Sequence, residues 1–232
     1  MQKRNYSFIY YICSISFILL SLLSVIHFWC FNESFYQSEH RKLTLNNKPI
    51  AEYIGISNDE LDELTSFTLN YLNDSNASLN KQMFINGELR EVFTDDEKAH
   101  MVDVQKLNIA SIYLGFITLI VFISTFLFIC FNKLINQFYK VNKNVFKLFV
   151  VFISILIIWI VIDFNSFWNF FHHVFFAGND LWILDLSKDI LIMIVPPEFF
   201  FHLVSTIVIS FIVVLIIYYL FIYYLNKRYI ND

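Results

Sequence analysis

The sequence predicts a membrane protein of the all-α class, a four-helix transmembrane bundle with a small α+β extracellular cap, and three observations carry that expectation. Four apolar runs, Ser7 to Trp29, Ile109 to Phe131, Phe146 to Ile162 and Leu203 to Leu225, each approach the ~20 helical residues that cross a hydrocarbon core of ~30 Å. The 232 residues are 57% hydrophobic, with 28 Phe, 13 Tyr and only 4 Gly, and a mean hydropathy of +0.57 lies outside the range of soluble domains. Lys133, Lys140, Lys143 and Lys147 crowd the connection between the second and third runs with no acid among them. After the third run, Lys188 stands against Asp180, Asp185, Asp189 and Glu198. By the positive-inside rule the lysine connection is cytoplasmic, and an even number of spans then puts both termini inside, with Lys3, Arg4, Lys227 and Arg228.

Taken in order, residues 1–31 hold an N-terminal tail and the first span. The basic pair ahead of it suggests a signal peptide, but the apolar run is too long for one and no small-residue cleavage site follows, so it reads as a retained helix. Residues 32–107 form the cap. Ser57-Asn58-Asp59-Glu60 is a capping box with Leu61, Leu64, Thr68 and Leu72 at helical spacing behind it. Asn86-Gly87 between Met83-Phe84-Ile85 and Leu89 to Phe93 predicts a type I′ hairpin. Thr94-Asp95-Asp96-Glu97 is a second capping box, whose helix runs without a breaker into the second span, residues 108–131. So small a cap is marginal alone and is expected to rest on the membrane or on the second outer segment.

Residues 132–145 are expected as a cytoplasmic loop, 146–163 as the third span, 202–225 as the fourth and 226–232 as a cytoplasmic tail. Residues 164–201 are too rich in Phe and Trp to stand in water and read as an interfacial or re-entrant outer segment, with Pro196 and Pro197 breaking any helix that leads into the fourth span. The net charge of -4, without a basic stripe, argues against nucleic acid. Cys13, Cys30 and Cys130 lie in or beside apolar runs, where no extracellular disulfide framework can use them.

The candidate chemistry sits at the outer ends of these spans. His100 lies a few turns above the second span, and Asp96 at i-4 and Asp103 at i+3 share its helical face, where either carboxylate can hold an imidazole tautomer. The competing reading is a solvated helix with a surface histidine among acids. His172 and His173 stand in an aromatic stretch at membrane depth, where ionisable groups are costly and point to function; the competing reading is an aromatic belt bonded to headgroups. Asp189 is either a helix cap or the residue that orients His172. His27 and His202 read as packing or interfacial residues. A zinc site from His100, His172, His173 and Asp189 is conceivable, but no ligand spacing requires it, and no cofactor motif is present.

Three stretches together resemble one family, the lipoprotein intramolecular transacylases of Gram-positive bacteria. They are Phe93 to Val104, with an acid before His100-Met101 and Asp103-Val104; Phe171-His172-His173-Val174-Phe175-Phe176 followed by Trp182; and Asp189 to Ile192 followed by Pro196, Phe199 and Phe200. The resemblance implies a plasma-membrane acyltransferase acting at the outer face on a diacylglyceryl lipoprotein among membrane lipids. The sn-2 acyl chain would move to the α-amine of the same cysteine, leaving the N-acyl, S-monoacylglyceryl (lyso) form, with no acyl-CoA, nucleotide or second lipid needed and no cofactor expected. It implies His100 and His172 as catalytic residues, one moving the proton and the other steadying the oxyanion. Asp103 or Asp96 would orient His100 and Asp189 would orient His172, with His173 beside it in support. The alternative class is a non-catalytic membrane scaffold whose cap binds a partner; it would tolerate loss of either histidine. A transporter finds no charged midplane or broken spanning helix to use.

Overall fold

The computed structural model describes residues 6–231, so Lys3 and Arg4, read above as cytoplasmic, lie outside the described residues. Two compact units emerge, one of Met1–His27, Ile112–Asp163 and Thr206–Asp232, the other of Phe28–Ser111 and Phe164–Ser205.

The first unit holds the long apolar helices α1 (Ser7–Cys30), α5 (Asp95–Phe131), α6 (Ile135–Ile162) and α9 (Pro197–Asn231), of which α1, α5 and α9 continue beyond it. All four are long and apolar enough to cross a membrane. Aromatic side chains pack them, with Phe17 stacked on Tyr218 at 3.5 Å, Tyr218 on Phe146 at 5.6 Å, and Phe149 edge-on to Phe211 at 5.8 Å. Ser14 donates a buried hydrogen bond to Asn142 at 2.8 Å. Ile120, Ile155 and Ile217 remain exposed on the outer faces, where lipid rather than water is the fitting solvent.

The expected loop over 132–145 is mostly helix. Lys133 takes the left-handed region (φ 55), its N–H donates to Cys130 and the Leu134 N–H donates to Ile129, which closes α5 in a Schellman turn without a glycine. Nothing from Ile135 onward breaks a helix, so α6 starts at once and carries Lys140, Lys143 and Lys147 on its first turns.

The second unit joins both polar segments. Asn32 caps α2 (Glu33–Lys42), accepting from the Phe35 N–H at 3.1 Å. A short hairpin follows, β1 (Thr44–Leu45) and β2 (Lys48–Pro49), turning on Asn46 and Asn47 at φ 50 and 63. Next come α3 (Ile50–Ile54), α4 (Asn58–Asn73) with the expected Ser57/Glu60 capping box, and the hairpin β3 (Gln82–Ile85) with β4 (Glu88–Glu91), which pairs Ile85 with Glu88 around Asn86-Gly87. Gly55 ends α3 at φ 89, and a Cβ there would collide with the Asn86 side chain. Leu61, Leu64, Phe93, Ile190 and Phe199 are fully or almost fully buried and draw both chain segments into one core.

At 37 residues α5 is about 55 Å long, well beyond one hydrocarbon thickness. Its Gln105 donates to the Tyr71 and Asp74 carbonyls, at 2.6 and 3.0 Å, and Asn108 to the Leu72 carbonyl at 2.9 Å, satisfying the open C-terminal end of α4. After α6, the amphipathic α7 (Phe164–Phe175) carries the histidine doublet. A connection through Gly178 leads to the short α8 (Ile190–Ile194), and the prolines then stop that helix, α9 restarting at Pro197.

Candidate active site

The site is assembled within the second unit from the first turns of α5, the end of α7 and the connection to α8. The Thr94/Glu97 capping box starts α5, the Thr94 N–H donating to Glu97 Oε2 at 2.6 Å and the Glu97 N–H to Thr94 Oγ1 at 3.3 Å. One turn later His100 is buried at 7% exposure, which removes the solvated-surface reading. His172, at 6%, comes from α7, and the two imidazole centroids are 6.2 Å apart. Phe176 touches both rings, at 5.1 Å to His100 and 5.5 Å to His172. Trp182 stacks on His172 at 4.8 Å and Trp168 meets it edge-on at 4.6 Å.

This setting determines protonation. Burial, joined by the neighbouring His172 and opposed by Asp103, lowers the His100 pKa to about 4. Burial lowers that of His172 as well, against the pull of the Trp168 carbonyl. Both rings are therefore neutral at physiological pH. His172 Nδ1 lies 2.8 Å from the Trp168 carbonyl, which can only accept, so Nδ1 carries the proton and Nε2 is left bare as a proton acceptor. His100 Nδ1 is buried without a partner.

The acids depart from the expected orienting roles. Asp96 is exposed and makes no hydrogen bond to His100. Asp103 acts on His100 only through its charge, its carboxylate accepting from Lys106 Nζ and from Asn179 Nδ2, each at 3.1 Å. Asp189, 4% exposed, stands at the N-cap position of α8 yet makes no capping bond there, nor one to His172. It accepts from the Asp185 N–H at 2.7 Å. His173 is exposed, its ring centroid 5.3 Å from that of Trp182 in an edge-on contact.

The residue that spacing alone missed is Glu97. It has no exposed surface, and its second oxygen, Oε1, accepts from the Leu191 N–H at 2.6 Å. Burial and the nearby Asp189 raise its pKa against the pull of these hydrogen bonds. Its capping-box position was legible, but its reach across the fold was not. Elsewhere in the unit, His40 is buried and donates Nε2–H to the Ile194 carbonyl at 3.0 Å, and His202 donates to Glu39 at 2.6 Å, so His202 is tied rather than merely interfacial. Among the described residues no group of three or more His, Cys, Asp or Glu side chains is arranged to hold a metal ion.

Two neutral imidazoles thus share one aromatic enclosure, His100 from the helix that continues into a membrane span and His172 from α7, in a protein of the membrane-integral helical class. The family model described as lipoprotein intramolecular transacylase Lit matches residues 11–200, and the chain belongs to this family of acyltransferases. The fold is similar to that of the membrane-integral lipoprotein intramolecular transacylase Lit from Bacillus cereus, at 20% identity over 97% of this chain and 95% of that one, with a TM-score of 0.77. Forms of that protein with one histidine replaced by arginine or by alanine match at TM-scores of 0.72 and 0.77, with 19% and 20% identity, over 97% of this chain and 91% and 95% of theirs. No curated protein matches the sequence.

Proposed function

We propose that the chain transfers the sn-2 acyl group of a diacylglyceryl lipoprotein to the α-amine of the same N-terminal cysteine, giving the N-acyl, S-monoacylglyceryl form, with His100 and His172 as its catalytic residues. The observation that carries this is the 6.2 Å separation of two buried, neutral imidazoles. At that centroid spacing, one reacting group seated beside the two rings is within reach of a nitrogen from each.

Because His172 donates Nδ1–H to Trp168, its bare Nε2 suits it to accept the proton that the amine sheds as it attacks the ester carbon. The same nitrogen returns that proton to the glycerol oxygen as the ester C–O bond breaks. An amide forms, an ester is lost and a free sn-2 hydroxyl is released, so atoms and charge balance. His100, neutral as well, is the donor to the oxyanion of the tetrahedral intermediate, a stabilisation worth about 3 kcal/mol for a single donor. Amine and ester belong to one molecule, so the enzyme's work is to fold its substrate into attack geometry, and the aromatic surround offers the acyl chains an apolar face. The charge asymmetry of the connections supports placing this chemistry at the outer face, with both termini cytoplasmic.

Mass spectrometry of the N-terminal lipopeptide tests the reading, using a host that makes only the diacylglyceryl form and expresses wild type, His100→Ala or His172→Ala. Conversion to the lyso form by wild type alone is the expected result. An unchanged lipopeptide, with the wild-type protein present in the membrane, would sink the acyl-transfer reading in favour of a non-catalytic scaffold.

A further inference from the structure

The segment from Asn179 to Leu191, which is the connection after α7 together with the start of α8, is tied to α5 at two points, one on each side of His100. Glu97 precedes His100 by three residues and accepts from the Leu191 N–H at 2.6 Å; Asp103 follows it by three and accepts from Asn179 at 3.1 Å. Both ties therefore rise from the face of α5 that His100 occupies. Between Asn179 and Leu191 the strap carries Trp182, which stacks on His172 at 4.8 Å. One segment is thus bolted to the helix of one histidine and lies on the ring of the other.

Resting on the acyl-transfer reading above, we propose that Glu97 is a positioning residue for that reaction, docking this strap so that Trp182 holds His172 at a set distance from His100. Glu97 is suited to the task because it is pinned at both ends. One oxygen is held by the Thr94 N–H and the other by the Leu191 N–H, both at 2.6 Å, and the side chain is wholly buried. It also stands in for the missing cap of α8, since Asp189 turns back to the Asp185 N–H. The Asn179–Asp103 bond is exposed and is the weaker of the two ties.

The consequence is specific to chemistry rather than to substrate capture. A displacement of about 1 Å at the reacting groups can cost about 100-fold in rate. The acyl chains meet an apolar face that Glu97 does not form, so affinity is expected to change little. Glu97→Gln is a sharp probe because both oxygens accept from N–H groups. A glutamine of the same size must set its own NH2 against one of them in either orientation.

The experiment follows lipopeptide conversion by the purified full-length protein in lipid, comparing wild type, Glu97→Gln, Asn179→Ala and the exchange Asp103→Asn with Asn179→Asp. The expected result is a kcat lowered about 100-fold in Glu97→Gln with KM kept within about threefold. Asn179→Ala shows a smaller fall in kcat, which the exchange, preserving a hydrogen bond at that point, largely avoids. Wild-type kcat in both Glu97→Gln and Asn179→Ala overturns the proposal. If Glu97→Gln does not accumulate as folded protein, Asn179→Ala decides. A kcat loss spared in the exchange supports the strap, and an unchanged kcat overturns it. A wild type that converts nothing overturns the acyl-transfer reading itself, and this proposal with it.

Discussion

Mild acid tests the burial of His100 before any substrate is supplied. Burial, with a contribution from His172 and against Asp103, brings its pKa to about 4 in the folded chain, while an unfolded histidine titrates at about 6.5. Between those values the unfolded chain binds the proton and the folded chain does not. Stability therefore rises with pH across the window and is lost as pH falls from about 6.5 toward 4. At about 1.36 kcal/mol per pH unit, moving from neutral pH to about pH 5 costs the fold about 2 kcal/mol through this group. For a chain of this size that lowers Tm by about 4–8 °C. His172, lowered by burial, adds a slope of the same sign. Glu97, raised by burial, opposes it, because there the folded chain keeps a proton that the unfolded chain releases. The wild-type slope is a sum of these, so the informative quantity is its difference from His100→Leu, which keeps apolar bulk against Phe176 and deletes one titration. Thermal unfolding of both proteins in lipid nanodiscs between pH 7.5 and 5 supplies it. Parallel slopes would refute the burial of a neutral imidazole at this position.

Other expected outcomes follow from the same geometry. His172→Ala lowers kcat by about 100- to 10,000-fold, the range for a lost acid–base group, and His100→Ala by about 100- to 1,000-fold, that for a lost oxyanion donor, as read by lipopeptide mass spectrometry. Because burial holds the His172 pKa below the ordinary imidazole value, a pH series of kcat/KM shows, beneath the limb that the substrate α-amine gives at about 8, a second acid limb below about 6.5, and a second limb at or above that value would contradict it. Trp182→Ala removes the stack on His172, worth about 1 kcal/mol, and lowers kcat while leaving the thermal midpoint within a few degrees. Gly55→Ala places a Cβ at φ 89 against Asn86 and destabilises the cap by about 1–3 kcal/mol, seen as faster proteolysis of the α3–α4 region.

Features written in runs and short spacings were legible before any fold was known. Apolar length sets the four spans, because a bilayer asks only for enough consecutive apolar residues. The Ser57/Glu60 and Thr94/Glu97 boxes start their helices, Asn86-Gly87 turns its hairpin, and Pro196-Pro197 parts α8 from α9, each through local backbone chemistry. The Asn46-Asn47 hairpin carried a similar local signal, since asparagine tolerates the positive φ that its turn requires. The candidate histidines were legible because an imidazole at membrane depth is costly enough to demand a reason. What those histidines touch was set by the packing of the folded chain. Helical spacing offered Asp96 and Asp103 to His100, but a shared face does not make a hydrogen bond: Asp96 stays exposed, and the Asp103 carboxylate accepts from Lys106 and Asn179. The bond from Leu191 to Glu97 joins residues 94 positions apart, and the stack of Trp182 on His172 rests on a loop whose path no periodicity encodes. Local pattern reports what the backbone within a turn or two will do. Which buried carboxylate meets which N–H depends on how the core closes, and that is a property of the packed chain alone.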